Sequence, residues 1–265
     1  MRTIEFNCPI IDHESINGQT VVLTLEAPAI AQIAYPGQFV NLTSNQFLRR
    51  PIGIMNADPA RGSIQLGIRI AGEGTRFLAK RKKGDILSLL GPLGRGFNLE
   101  GARRVITVGG GTGVFPLYFV QKVCQARDLE GIAVCGYRSL GDSFLTDQYK
   151  ALTCQTLFAS EEGDDMDFSG HAVAALDDLL AKLPLVPETR ILTCGPEKMM
   201  ASVAALADEY GISCQVSLEE RMACGIGVCL VCACKIKRGD EQGAEYQRCC
   251  TEGPVFNAEV VEWQI

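Results

Sequence analysis

The sequence is poor in histidine, in tryptophan and in runs of positive charge. Its 265 residues include 2 histidines and 1 tryptophan, and the formal net charge is -6. The longest basic run, Lys80 to Lys83, is too short for the basic surface by which proteins bind nucleic acid. The composition argues against a nucleic-acid-binding protein. We expect His13 and His171 to be a surface residue and a helix-start residue rather than catalysts.

Long apolar segments are also missing. The longest uncharged stretch, Val105 to Gln121, is interrupted by glycines, and no apolar run reaches the ~20 residues that a membrane-spanning helix needs. The first residues contain no continuous apolar segment of the kind found in secretory signal peptides. We therefore expect a cytoplasmic protein without a membrane partner. In that compartment the 12 cysteines do not form a disulfide framework.

The cysteines are concentrated near the C-terminus. Six of them lie between residues 224 and 250, where uniform scatter would place about one. These six are Cys224, Cys229, Cys232, Cys234, Cys249 and Cys250. The others occur singly, mostly in apolar stretches, as small buried hydrophobic residues do. The C-terminal set therefore marks a candidate functional site.

The first region, residues 1–100, has the pattern of a β-barrel. Short β-branched or alternating runs predict strands at 20–25, 38–42 and 63–70, with turns at Pro and Gly between them. One helix is predicted over 75–81. Several short strands at this spacing are typical of a small antiparallel barrel.

The next region, residues 101–217, alternates between strands and helices. Strands are predicted at 104–108, 132–136, 156–158 and 191–194, and helices at 115–127, 172–183 and 197–210. This order is typical of βαβ units around a parallel sheet. Residues 218–265 form a third region, with the cysteine cluster and a short strand tail. The predicted fold class is thus an antiparallel β-barrel, an α/β domain with a parallel sheet, and a C-terminal cluster module.

The cysteine spacing predicts an iron–sulfur site. Cys224-x4-Cys229-x2-Cys232, followed by a later cysteine, is the plant-type [2Fe-2S] pattern. Glycines at positions 225 and 227 allow the backbone to curl around a small anionic cluster and to direct N–H groups at its sulfurs. Three ligands are therefore expected from one short loop.

The main alternative is a structural zinc site, which usually shows two short cysteine pairs. The second half of this region offers only the adjacent Cys249 and Cys250, and neighbouring side chains tend to point apart. Either of the two can supply the fourth ligand. Cys234 ranks last, because it lies two residues after Cys232 and would need a tight return of the chain.

A second motif combines an arginine with a glycine turn. The segment Arg50-Pro51-Ile52-Gly53 begins a predicted strand, and Gly74-Thr75 opens a predicted helix. A helix N-terminus binds phosphate through its free N–H groups and its dipole. Arg50 would supply the counter-charge to a pyrophosphate, although a surface arginine is the alternative for this residue taken alone.

A third motif, Gly109-Gly110-Gly111-Thr112-Gly113, lies between a predicted strand and a helix. It is not a regular GxGxxG and lacks a well-placed acidic residue for a ribose. The βαβ context nevertheless favours nucleotide binding over a purely structural turn. Cys194-Gly195 ends another strand at the same edge of the sheet, and the Cys194 side chain either faces a nicotinamide or fills the core.

These motifs in this order resemble the ferredoxin-reductase superfamily, and within it the electron-transfer subunits of class 1B dihydroorotate dehydrogenases. The resemblance covers nearly the whole chain. It rests on three segments: Ser217 to Cys229 (SLEERMACGIGVC), Cys250 to Phe256 (CTEGPVF) and Gly91 to Phe97 (GPLGRGF). The first of these is the most specific.

The resemblance implies a set of cofactor-binding residues. The FAD contacts would be Arg50, Pro51, Ile52, Gly53, Gly67, Ile68, Arg69, Gly74 and Thr75. The cysteine that precedes Thr-Glu-Gly-Pro-Val-Phe is the fourth ligand of the family, which selects Cys250 over Cys249. Gly53 stands where the family often has a serine that reaches the flavin N5 edge, so a backbone N–H or a water would replace that hydroxyl.

The resemblance also implies a function. The chain would be an NAD-linked flavin and iron–sulfur oxidoreductase subunit in pyrimidine biosynthesis. It would join a separate FMN-containing catalytic barrel subunit, in a heterotetramer, and pass electrons from that FMN through [2Fe-2S] and FAD to NAD. The preference for NAD rests on the resemblance alone, because Arg138, after the second sheet strand, suits a 2′-phosphate equally well. The alternatives are a subunit of a ferredoxin:NADP or sulfide-linked oxidoreductase, and a non-enzymatic zinc-binding adaptor.

Overall fold

The computed structural model describes residues 4–152, 155–163, 166–184, 186–237 and 243–263. Its strands are β1 Ile4–Asn17, β2 Thr20–Glu26, β3 Phe39–Leu42, β4 Arg50–Asp58, β5 Ser63–Arg69, β6 Ile86–Leu93, β7 Arg104–Gly110, β8 Glu130–Tyr137, β9 Gln155–Ser160, β10 Phe168–Ser169, β11 Thr189–Cys194, β12 Ser213–Ser217, β13 Ala233–Lys237, β14 Ala244–Arg248 and β15 Val255–Asn257. Its α-helices are α1 Pro28–Ala31, α2 Glu73–Ala79, α3 Val114–Ala126, α4 Thr146–Lys150, α5 Ala172–Lys182 and α6 Glu197–Glu209.

The chain divides into two compact units. The barrel unit comprises Met1–Gly96, Glu219–Cys234 and Tyr246–Val255, and the sheet unit comprises Phe97–Leu218, Lys235–Glu245 and Phe256–Ile265. Residues 218–265 thus contribute to both units. None of the helices in the described ranges has the length and apolar character needed to cross a bilayer.

The barrel unit contains a closed antiparallel barrel with the strand order β1-β2-β5-β4-β3-β6, which confirms the predicted barrel. Alternate side chains of these strands fill its interior, and Leu23, Leu42 and Ile54 are fully buried there. The long strand β1 closes the barrel, because its first half pairs with β6 and its second half with β2. The sequence pattern did not predict β1 or β6. Polar residues and Pro9 interrupt β1, so that only its two pairing partners define it as a strand.

The sheet unit contains a seven-stranded sheet with the order β10-β9-β8-β7-β11-β12-β15. The pairs from β10 to β12 are parallel, which confirms the predicted α/β architecture. Ile106 and Val108 of β7 pack in one apolar cluster with residues of α5 and α6. Thr107 of the same strand accepts a hydrogen bond from Gln121 of α3 at 2.9 Å. Because neighbouring strand residues face opposite ways, helices cover both faces of the sheet.

The parallel order brings the carboxyl ends of β7, β8 and β11 to one edge of the sheet. Cys194 at the end of β11 pairs with Gly109 at the end of β7, and Gly110 pairs with Gly136 of β8. The predicted glycine turn follows β7 as a short 3-10 turn, Gly111–Gly113, which leads directly into α3. Open α/β sheets bind their ligands at this edge.

Candidate functional site

The cysteine loop of the barrel unit, residues 224–232, is built around one sulfur atom. Cys224 Sγ accepts hydrogen bonds from the backbone N–H groups of Ile226, Val228 and Cys229, each at 3.4 Å. Gly225 and Gly227 make this curl possible, because their φ angles are +72° and +82°. Desolvation raises the pKa of the Cys224 thiol, but hydrogen bonds from the three N–H groups and from the Cys229 thiol outweigh it and bring the pKa down to about 6. The loop therefore favours a thiolate, the form that ligates metals.

The four cysteines singled out by spacing and resemblance lie in two hydrogen-bonded pairs. The thiol of Cys224 contacts that of Cys229, and the thiol of Cys250 contacts that of Cys232. Within the described ranges, no three His, Cys, Asp or Glu side chains converge as ligands of a single metal ion. A [2Fe-2S] cluster takes four thiolates shared between two irons. The two cysteine pairs, from one loop and one nearby turn, supply that number of thiols.

Cys249 and Cys250, although adjacent, have different surroundings. Burial and the hydrogen bond with Cys232 raise the pKa of the Cys250 thiol to about 12, while the Gly227 N–H opposes this rise. Burial also raises the pKa of Cys249, and the charge of the nearby Cys234 is the second largest cause of this rise. The Cys234 thiol, whose pKa burial raises to about 11, lies 3.3 Å from Gln247 O. The Cys250 thiol thus contacts the cysteine loop. Cys249 touches the loop through its backbone N–H, which donates to Cys232 O at 2.9 Å, whereas the thiols of Cys249 and Cys234 are buried beside it.

An ion pair that sequence reasoning missed ties residues 249–252, here called the Cys250 turn, to the cysteine loop. Arg248 Nε and Nη2 donate to the two carboxylate oxygens of Glu252 at 2.8 and 2.6 Å, and Nη1 donates to Gly227 O at 3.0 Å. The hydrogen bonds from Arg248 hold the pKa of Glu252 at about 2. Arg248 ends β14 and Glu252 lies in the turn that follows, so the four-residue spacing that pairs side chains on a helix gave no sequence signal for this ion pair.

The predicted flavin motif lies on the neighbouring strands β4 and β5 of the barrel. Ile54 of β4 pairs with Leu66 of β5, which brings the motif segments 50–53 and 67–69 to the same end of both strands. At that end the Arg50 guanidinium lies directly over Gly74, and a Cβ added at Gly74 would collide with Arg50 Nε. The absence of a side chain at Gly74 therefore leaves the space that Arg50 occupies. A cation beside a glycine turn fits a pyrophosphate.

The other predicted flavin residues have distinct roles in the structure. The Thr75 hydroxyl accepts hydrogen bonds from the N–H groups of Ala71 and Gly72, at 2.9 and 3.1 Å, and donates to Gly72 O. It shapes the turn, and α2 accordingly begins at Glu73, before the predicted start. Ile68 is buried in the barrel core, whereas Arg69 at the end of β5 is exposed. Residues 67–69 can therefore offer a ligand only their backbone groups and the Arg69 side chain.

In the sheet unit, close packing explains most of the glycines in the predicted nucleotide turn. A Cβ at Gly113 would collide with Cys194 O, one at Gly110 would lie 2.6 Å from Met199 Sδ, and one at Gly109 would lie 2.8 Å from Val114. Gly111 differs, because its φ is +51° and a Cβ there would meet nothing within 4 Å. The turn and the Cys194-Gly195 segment are therefore packed together, and Gly111 leaves open space at the carboxyl edge of the sheet.

Two further predicted residues lie at this edge. The Cys194 side chain is buried, with 3% of its surface exposed. Arg138 follows β8 directly, and its Nε donates to Glu162 Oε1 at 3.1 Å. The guanidinium remains largely exposed and already has a carboxylate partner.

Two family models match the chain. The iron–sulfur cluster binding domain of dihydroorotate dehydrogenase B matches residues 219–262, and the oxidoreductase FAD-binding domain matches residues 7–97. The first includes the cysteine loop and the Cys250 turn. The second includes the arginine and glycine-turn motif of the barrel. The matched families thus agree with the chemistry of both sites.

Curated relatives cover almost the full length. The electron transfer subunit of dihydroorotate dehydrogenase B (NAD(+)) from Caldanaerobacter subterraneus subsp. tengcongensis is 35% identical over 86% of this chain and 87% of its own. The subunit of the same name from Fusobacterium nucleatum is 34% identical over 97% of this chain and 98% of its own. Among solved structures, an NADH-dependent reduced ferredoxin-NADP oxidoreductase superposes with a TM-score of 0.85, at 26% identity over 97% of this chain and 90% of that chain. By sequence identity and by the match of its cluster segment, the chain belongs to the family of electron transfer subunits of dihydroorotate dehydrogenase B.

Proposed function

We propose that this chain passes electrons between a dihydroorotate-oxidising partner and NAD, with a [2Fe-2S] cluster held by Cys224, Cys229, Cys232 and Cys250. The observation that carries the proposal is the cysteine loop, in which three N–H groups stabilise the Cys224 thiolate. When bound, the cluster would supply one-electron transfer, and FAD would link two such transfers, with one proton, to the transfer of a hydride to NAD. The protein binds, orients and tunes these groups.

The barrel unit would hold FAD at the end of β4 and β5. Arg50 would neutralise the pyrophosphate beside Gly74, where the helix α2 begins. The predicted contacts at Pro51, Ile52, Gly53, Gly67, Ile68, Arg69 and Thr75 lie on the same two strands or in the turn that follows them. Because the Thr75 hydroxyl is committed to the turn, backbone N–H groups would serve the ligand there.

The sheet unit would hold the nucleotide at the carboxyl edge of its sheet. Gly110 and Gly113 allow the turn to pack against Cys194 and Gly195, Gly109 allows it to pack against Val114, and Gly111 and Thr112 would face the nucleotide. The Arg138–Glu162 ion pair supports NAD over NADP, because a carboxylate beside the guanidinium opposes a 2′-phosphate. Glu162 would therefore contribute to the nucleotide preference.

The partner would dock on the cysteine loop. Ile226, Val228, Leu230 and Val231 are large apolar residues exposed to 42%, 76%, 62% and 51%, and they lie between or beside the cluster ligands. Leu230 also has a φ of +60°, a conformation that disfavours a leucine. A partner that buried these side chains would offset the free-energy cost of their exposure to water and the conformational cost at Leu230. The relatives are named as electron transfer subunits, which implies a catalytic partner, and an FMN-containing subunit in a heterotetramer is the arrangement we propose. The cytoplasmic location stays a prediction.

A charge on this loop should break the complex. We expect Leu230→Glu and Val228→Glu to weaken association with the catalytic subunit at least about tenfold, because central apolar residues of an interface carry about 2 kcal/mol or more each. Ile86→Glu is the matched control, since Ile86 is equally exposed at 65% but lies on β6 of the barrel. Sedimentation of mixed subunits measures the affinity. Equal association of all three variants would show that the partner binds elsewhere.

The isolated chain should perform only the nucleotide half of the reaction. With FAD and nucleotide sites of its own, it should reduce an artificial acceptor with NADH. It should not oxidise dihydroorotate until the FMN subunit is added. Steady-state assays with NADH, NADPH and dihydroorotate, without the partner, test this division. Dihydroorotate oxidation by the chain alone would refute it, and a strong NADPH preference would favour the ferredoxin:NADP class of the solved structure with the TM-score of 0.85.

A further inference from the structure

A buried amide of the barrel contacts the cysteine loop on both sides of Cys224. Asn41 lies in β3, is fully buried, and has apolar neighbours along the strand. A buried polar side chain is costly unless it is hydrogen-bonded. Its Nδ2 donates to Ala223 O at 3.4 Å, and its Oδ1 is a buried atom without a hydrogen-bond partner in the described part of the chain. The amide nitrogen thus has a hydrogen-bond partner and the amide oxygen has none in the described residues, so the stability of the barrel alone does not explain an asparagine at this position.

The second contact is with Gly225. A Cβ added at Gly225 would lie 2.7 Å from Asn41 Nδ2 and 3.4 Å from Asn41 Cγ. Gly225 also has a φ of +72°, so both conformation and space require glycine there. The amino end of the Asn41 amide thus faces the residues that precede and follow Cys224, the cysteine whose sulfur collects three N–H groups.

The same asparagine is part of the flavin side of the barrel. Asn41 pairs with Pro51 across the β3–β4 ladder, so it lies beside the segment that begins with Arg50. Arg49 Nη1 also donates to Asn41 O at 3.3 Å. One residue therefore contacts the proposed flavin strand through its backbone and the two neighbours of the first proposed cluster ligand through its side chain.

We propose that Asn41 is a positioning residue that fixes Cys224 against the flavin strand and raises the reduction potential of the cluster. The inference rests on the proposed function, which supplies the cluster. The amino end of a carboxamide is the positive end of its dipole. Placed beside the two neighbours of Cys224, it would stabilise the reduced cluster, which carries one more negative charge than the oxidised one. Removal of the amide should therefore make the cluster harder to reduce.

The test is a potentiometric EPR titration of the full chain, loaded with FAD and cluster. Asn41→Leu keeps the approximate volume and removes the dipole, and Asn41→Asp keeps the shape and places a carboxylate oxygen where the amino group was. We expect the potential to fall in both variants, by about tenfold in the reduction equilibrium for Asn41→Leu, or 59 mV for one electron, and by more for Asn41→Asp. Asn56→Leu is the matched control, because Asn56 is a barrel asparagine of β4 bonded to Gln65 at 2.9 Å.

If Asn41→Leu and Asn41→Asp keep their clusters at the wild-type potential, the inference about Asn41 is wrong and the proposed function is unaffected. If both lose the cluster while FAD remains bound, recovery of the cluster in Asn41→Ser, which restores a donor, supports the positioning role. Loss of the cluster in all three Asn41 variants, with the cluster of Asn56→Leu intact, would show that Asn41 contributes only to packing and would overturn the inference. A wild-type chain without a cluster signal would overturn the proposed function and this inference together.

Discussion

Replacement of Cys250 by serine should abolish the EPR signal of the reduced [2Fe-2S] cluster, and replacement of its neighbour Cys249 should leave that signal intact. The two residues are adjacent in sequence but differ in their contacts. Cys250 is hydrogen-bonded to Cys232 and to the Gly227 N–H, within the cysteine loop. Cys249 is a buried thiol, and its pKa is raised first by that burial and then by the nearby Cys234. Serine is a poor ligand for a cluster that thiolates hold, so loss of one ligand removes or distorts the centre.

The same measurement distinguishes the remaining cysteines. Serine at Cys224, Cys229 or Cys232 should also abolish or distort the signal, and Cys234→Ser should preserve it. Iron and sulfide content checks that a lost signal reflects a lost cluster. Loss of the signal in Cys249→Ser together with its retention in Cys250→Ser would reverse the ligand assignment. Loss in all six variants would indicate a folding defect of the loop rather than ligation.

Arg50→Ala should release FAD without unfolding the chain. Hydrogen bonds to charged groups contribute about 1.5–3 kcal/mol each, so the affinity for FAD should fall about tenfold to a hundredfold. Arg50 has no carboxylate within ion-pair distance among the described residues, and its guanidinium lies over Gly74. Arg49→Ala is the matched control, because the adjacent Arg49 already pairs with Glu5 at 2.5 Å. Gel filtration followed by flavin absorbance measures retention.

A second substitution tests the same site without removing charge. Gly74→Ala places a methyl group where the Arg50 guanidinium lies, so it should displace that group and also weaken FAD binding. Thermal unfolding of the flavin-free variants should match that of the wild-type protein. Full FAD retention with unchanged affinity in Arg50→Ala would remove this residue from the flavin site. Release in Gly74→Ala alone would assign the effect to the helix start.

Local sequence was sufficient for the elements that depend on neighbouring residues. The 224-229-232 spacing, the helix predicted over 172–183 and the strand-turn-helix around Gly109 to Gly113 all follow from short-range pattern. The structure contains the corresponding loop, the helix α5 and the turn. The spacing of short strands also predicted the barrel, and the resemblance added the full set of flavin contacts, the choice of Cys250 and the family. The two family models and the curated relatives confirm that family assignment.

Tertiary structure decided what depends on residues far apart in the chain. β1 became a strand because β2 and β6 pair with its two halves, although its own sequence is interrupted by polar residues. Gly74 and Gly113 are predicted ligand contacts, and the structure adds a packing role for each, because Arg50 lies beside Gly74 and Cys194 O lies beside Gly113. The contact of Asn41 with Gly225 joins residues 184 positions apart. Short-range preference fixes spacing and local conformation, whereas pairing partners and close approaches depend on how the whole chain packs, which no local pattern contains.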